Sequence, residues 1–141
     1  MTVLIPFLLL GRRVSFTNWG ALQYAALLPM AAGAAILIIC IRDFTVQGRG
    51  TLAPIDPPTQ LVVRGLYRYV RNPMYVGGLV LLLGEALAFR SIPILLWAAV
   101  WFTAINGVVL FYEEPALRRK FGESYERYRA AVGRWVPKAP R

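Results

Sequence analysis

From Trp19 to Ile41 the chain runs for 23 residues without a charge. A run of that length has one ordinary fate, because at about 1.5 Å of rise per residue it makes a helix that matches the roughly 30 Å hydrocarbon core of a bilayer. Ala31, Ala32, Gly33, Ala34 and Ala35 lie within it, and small residues let a second helix approach closely. Arg42 and Asp43 close the run. The composition agrees: 57% hydrophobic residues and a mean hydropathy of +0.52 are too apolar for an ordinary soluble domain of 141 residues. A single membrane domain over residues 1–141 is expected.

Two more apolar runs, Met74–Phe89 and Ile92–Tyr112, are separated only by Arg90 and Ser91, which predicts a tight helical hairpin within the membrane. The first is short for a span and would need tilt or a thinner bilayer. Val3–Leu10 is shorter still, and Arg12 and Arg13 follow it instead of preceding it. That order fits an interfacial or partly inserted helix, or the remnant of a longer first span, better than a signal-peptide core. Between the spans, Pro54, Pro57 and Pro58 exclude regular helix and predict a loop. Beyond Glu113 and Glu114, Leu117, Phe121, Tyr125, Tyr128 and Val132 recur every three or four positions among charged residues. This pattern predicts an amphipathic helix, with Pro115 in its first turn, lying on the membrane surface or folding back over the core. The expected fold is therefore all-α: a multi-pass transmembrane helical bundle with a hairpin and a C-terminal amphipathic helix.

Sixteen Lys and Arg against seven Asp and Glu give a formal charge of +9. Such an excess points to nucleic acid or to an anionic membrane face, and the hydropathy selects the membrane. Thirteen of the sixteen basic residues fall in the loop 42–73 and the C-terminal tail, leaving only Arg12, Arg13 and Arg90 opposite. The loop and tail are thus expected on the cytoplasmic side of the cell's inner membrane. Histidine is absent and Cys40 is the only cysteine, which excludes an intrachain disulfide, a zinc site built on Cys and His, and a Ser-His or Cys-His nucleophile. Neither nucleic acid nor metal is an expected partner.

The densest polar stretch is GLYRYVRNPMYVGG at 65–78. Arg64, Arg68 and Arg71 could serve as a positive-inside anchor, with Tyr67, Tyr69 and Tyr75 as interfacial aromatics. The hairpin, however, returns the chain to this same side at Glu113 and Glu114, so aromatics, arginine and carboxylate should converge there.

RGLYRYVRNPMYVG, a hydrophobic hairpin, and then YEEPALRRKFGESYERYRAAVGRWVP together resemble the isoprenylcysteine carboxyl methyltransferase and phospholipid methyltransferase superfamily. The resemblance covers about residues 45–137, and two motifs in order around a hairpin are more specific than either alone. It implies S-adenosyl-L-methionine as cofactor and a lipid-like or isoprenylcysteine-type acceptor within the membrane, methylated at a carboxyl oxygen or an amine. Leu61 and Val62 would give backbone contacts to the cofactor, and Tyr67 would pack on it. Asn72, Pro73, Met74 and Tyr75 would line its pocket, and Glu113, with Glu114 second, would hold a polar end. Such a donor carries a sulfonium, an ammonium and a carboxylate; aromatic faces suit the cation, Glu113 the ammonium, and Arg71 or backbone N–H groups the carboxylate. Two positions depart from the family pattern: Asn72 replaces its usual histidine, and Val109 stands where the prenylcysteine enzymes place an acceptor-binding arginine.

Two further readings remain open. Membrane sterol reductases share a similar R-N-P-x-Y turn and use NADPH, and a non-catalytic scaffold whose tail binds anionic lipid needs no cofactor. Glu85, a carboxylate inside an apolar run, reads either as a structural polar contact, with Asn106 as its candidate partner, or as part of a substrate cavity.

Overall fold

The computed structural model describes residues 5, 6, 8, 19–43, 61 and 63–138. Residues 44–60 of the expected loop at 44–65, Val62 and most of the Val3–Leu10 run lie outside them. The described elements are helix α1 (Ala21–Asp43), a 3-10 turn (Gly65–Arg68), α2 (Pro73–Ala88), α3 (Ile92–Val108), a π turn (Val109–Glu113), α4 (Glu114–Phe121) and α5 (Glu123–Ala131). Among the described residues there is no strand, and extended pairing is confined to an isolated parallel bridge between Val70 and Gly133.

Most boundaries fall where the sequence places them. Charged Arg42 and Asp43 join the last turn of α1, where an arginine complements the negative end of the helix dipole. Pro73 opens α2, its fixed φ and missing N–H being harmless in a first turn. The hairpin turn is made by Phe89 and Arg90, and Ser91 Oγ accepts the Ile94 N–H at the start of α3 (3.4 Å). One expectation differs. The helix does not stop at Tyr112 but continues to Phe121, 30 residues in all. Pro115 sits just past a π turn whose wider register relieves the crowding a proline ring causes one turn back.

The chain divides into two compact units, Met1–Ile36 with Tyr75–Ala104, and Leu37–Met74 with Ile105–Arg141. In the first, α1 and α2 touch at their backbones. A Cβ added to Gly33 would stand 2.6 Å from the Leu81 nitrogen and 2.7 Å from the Gly77 carbonyl oxygen, so only glycine admits this approach. Outward-facing side chains of this unit are large and apolar: Leu28 is 75% exposed, Ile92 69% and Leu96 61%. A soluble protein has to hide large apolar side chains from water, whereas lipid tails can cover them. Among the described residues two helices, Ala21–Asp43 and Ile92–Phe121, are long and apolar enough to cross a membrane, and Pro73–Ala88 is shorter.

In the second unit the tail folds inward. Tyr125, Tyr128 and Val132 form a buried cluster, and Leu61, Leu117 and Phe121 pack against it. All five residues of the amphipathic stripe are therefore in one core, although the helix is broken at Gly122 into α4 and α5. Arg118, Arg119 and Lys120 stay on the exposed side.

Candidate functional site

The site is built on the short turn 65–72 of the second unit. Gly65 adopts φ +57°, and a Cβ there would run into the Asp43 carboxylate, so glycine is required on both counts. The turn then presents Tyr67, whose backbone carbonyl accepts a buried hydrogen bond from the Tyr128 hydroxyl (2.7 Å). The segment after α5 runs alongside: the Arg71 N–H bonds the Gly133 carbonyl (2.8 Å) and the Lys138 N–H bonds the Tyr69 carbonyl (2.9 Å). Asn72 adds a side-chain bond, Nδ2 to the Arg134 carbonyl (3.3 Å).

At the centre lies an ionic cluster. Glu114 is buried, and its Oε1 lies 3.0 Å from Arg71 Nη1. Arg134 binds the same carboxylate with two parallel bonds, Nε to Oε1 at 2.7 Å and Nη2 to Oε2 at 3.0 Å. Side-chain exposure is 9% for Arg71, 8% for Glu114 and 31% for Arg134. Arg71 Nη1 also reaches the Tyr125 hydroxyl at 3.4 Å, while its Nε is buried with no hydrogen-bond partner. Donating to Glu114 raises the pKa of Arg134, fixing it as a cation.

The π turn explains which carboxylate turns inward. Val109 is buried, and in an α-helix the residue sharing its face one turn on would be Glu113. Here the Glu114 N–H bonds the Val109 carbonyl, an i to i+5 step that moves Glu114 into the buried position. Glu113 is left half-buried. It remains near the turn: the Tyr67 phenol is raised above its ordinary value chiefly by burial, with Glu113 among the smaller contributions. Burial likewise raises Tyr128, and burial followed by Glu114 raises Tyr125.

Those three shifts give an alkaline prediction. Because the unfolded phenols release their protons near pH 10 and the folded ones hold them longer, the stabilisation is complete below about pH 10 and declines as pH rises further. Ultraviolet titration should show fewer than seven tyrosinates until the fold opens. Smooth ionisation of all seven with the fold intact would contradict the burial of these rings.

Of the sequence-predicted residues, the second unit brings together Leu61, Tyr67, Arg71, Asn72, Pro73, Met74, Glu113 and Glu114. Pro73 is fully buried and Met74 half-buried. Tyr75 belongs to the other unit, where its ring meets Trp101 edge-on, centroids 6.4 Å apart. Val62 lies outside the described residues. An open cavity of about 410 Å³ is lined by Leu61 and Tyr128 with Arg68 and Arg127 at its edge. Asn106 accepts the Trp135 indole N–H (3.1 Å), so its side-chain oxygen already has a partner within the second unit. Glu85 is buried in the first unit with Oε2 unpartnered, as is the Trp97 indole nitrogen of the same unit. Arg134 is the residue that reading the sequence missed. Its only signal there was one arginine in a basic tail.

Exposed apolar helices, two of them among the described residues long enough to cross a membrane, and a buried ionic cluster within the second unit define the class: an all-helical chain of membrane type. The chain belongs to the phospholipid methyltransferase family, whose sequence model matches residues 22–124. It is also similar to the protein-S-isoprenylcysteine O-methyltransferase of Schizosaccharomyces pombe, at 37% identity over 81 residues, 57% of this chain and 34% of that one. The match thus spans about a third of the relative's length. No solved structure matches the chain.

Proposed function

We propose that this chain is an integral-membrane methyltransferase that takes S-adenosyl-L-methionine from the cytoplasmic side and transfers its methyl group to a lipid-like acceptor. The observation that carries this reading is the contact of Arg71 with Glu114, which joins the two halves of the family pattern within one unit. The side chains there fit the donor. Arg71 Nε is a buried, unpartnered guanidinium donor suited to a carboxylate. Glu114 is committed to two arginines; the ammonium is assigned to Glu113 on the family resemblance. Tyr67 supplies an aromatic ring, and the cavity beside Leu61, lined by Arg68 and Tyr128 and not by Arg71 or Glu113, is within the roughly 300–1,000 Å³ of small-molecule sites.

A bound sulfonium supplies an already activated methyl group, so the protein's part is orientation. Arg71 and Glu113 would fix the two ends of the amino-acid moiety, leaving the methyl in line with an acceptor; such positioning can contribute about 7–11 kcal/mol. The absence of histidine is consistent with this division of labour. At position 109 the chain carries a buried valine, which cannot pair with an acceptor's carboxylate. Both carboxyl and amine acceptors are therefore included in the test, and family membership favours this donor over NADPH.

Membranes containing the protein, incubated with methyl-labelled S-adenosylmethionine, should transfer label into lipid or a lipid-modified peptide. Fractionation into lipid and protein identifies the acceptor, and base lability separates carboxyl esters from methylated amines. Transfer no greater than from membranes lacking the protein would sink the proposal.

A further inference from the structure

Glu114 is shared unequally by its two arginines. Arg134 holds both oxygens in a fork, at 2.7 and 3.0 Å. Arg71 is left with one Nη1 contact at 3.0 Å and a weaker one to Tyr125 at 3.4 Å, and its Nε makes none. A buried guanidinium N–H without a partner is unfavourable. Without Arg134, the physically obvious arrangement is for Arg71 itself to fork onto Glu114 through Nε and Nη, which satisfies that donor and cancels the local charge. With Arg134 present, two guanidinium groups face one carboxylate and the cluster keeps one net positive charge.

We infer that Arg134 is a positioning residue: by saturating Glu114 it keeps the Arg71 Nε donor and one unit of positive charge available to the carboxylate of the bound donor. The inference rests on the S-adenosyl reading above and extends it to a residue outside the 22–124 stretch that the family model covers. Arg134 is held where it must be. Its backbone carbonyl accepts from Asn72, its neighbour Gly133 accepts from the Arg71 N–H, and Trp135 is tied to Asn106. The segment after α5 is therefore a clasp that sets the arginine of the turn from both its backbone and its side chain.

The test compares two ligands by calorimetry on the full chain in detergent: S-adenosylhomocysteine, which carries the carboxylate, and its decarboxylated analogue, which does not. The wild type should bind the first more tightly. Arg134→Gln should weaken that ligand alone, by roughly tenfold to a hundredfold, the range for losing a hydrogen bond to a charged group. Adding Glu114→Gln should restore discrimination between the ligands, since no carboxylate then competes for Arg71. That double variant buries no unpaired carboxylate but leaves Arg71 without its counter-ion, so both variants are first shown to unfold cooperatively; Arg134→Lys, which keeps the cation without the fork and should weaken the same ligand alone, serves where they do not. Equal weakening of both ligands, no change in either, or a double variant that cannot tell them apart would overturn the role of Arg134. A wild type that binds neither ligand would overturn the S-adenosyl reading and this inference with it.

Discussion

Glu114→Ala is expected to destabilise the protein by about 3–5 kcal/mol, the range for removing one partner of a buried ion pair. The size follows from what is left behind. Arg71 is 9% exposed and would lose its only carboxylate among the described residues, stranding a charge in a low-dielectric setting, while Arg134 would lose both arms of its fork. The strap across the turn depends on the same cluster, so the hydrogen bonds from Asn72 and Arg71 to residues 133 and 134 should loosen with it. Glu126→Ala is the matched control, because it removes the same charge from pairs with Arg118 and Arg129 whose side chains are 36–48% exposed; exposed pairs contribute about 0–1 kcal/mol. Thermal unfolding of both variants in mild detergent reads the difference. Equal, small losses would mean that the cluster is not the buried centre of the second unit.

The second large effect belongs to the other unit. Gly33→Val should cost about 1–3 kcal/mol or more, the range for overpacking, because the new Cβ would sit 2.6 Å from the Leu81 nitrogen and 2.7 Å from the Gly77 oxygen. Those are backbone atoms and cannot rotate away, so α1 and α2 must separate. Gly107→Ala meets nothing within 4 Å and replaces a helix-interior glycine, so it should be neutral or stabilising by about 0.5–1 kcal/mol. Denaturing-detergent titrations should therefore shift Gly33→Val to lower stability and leave Gly107→Ala at or above the wild type. A Gly33→Val protein as stable as the wild type would refute the contact between these helices.

Much of this organisation can be read from the chain, for reasons that differ by element. The uncharged run at 19–41 and the hairpin at 74–112 are legible because hydropathy and length have few alternatives. Leu117, Phe121, Tyr125, Tyr128 and Val132 are legible as one face because a 3.6-residue period survives even the break at Gly122. Which of Ala31 to Ala35 and Gly33 makes the close contact was not, since all are small; the structure singles out Gly33 and leaves Ala31, Ala32 and Ala35 exposed. Nor could the order of Glu113 and Glu114 be settled by periodicity. A π turn adds one residue to the repeat, and nothing in VLFYE announces it. Arg134 was hidden for a third reason: its partner lies 20 positions back in the chain, and a basic tail has an adequate explanation in the positive-inside bias alone.

Ligand-induced stabilisation tests the central claim, that the turn at 65–72 and the acidic pair jointly hold an S-adenosyl donor. Purified wild type should gain stability with S-adenosylhomocysteine, by about 2.7 kcal/mol once the ligand stands at a hundred times its Kd. Glu113→Ala should show little or none of that gain while unfolding cooperatively on its own. No shift in the wild type at millimolar ligand, or a shift of equal size in Glu113→Ala, would contradict it.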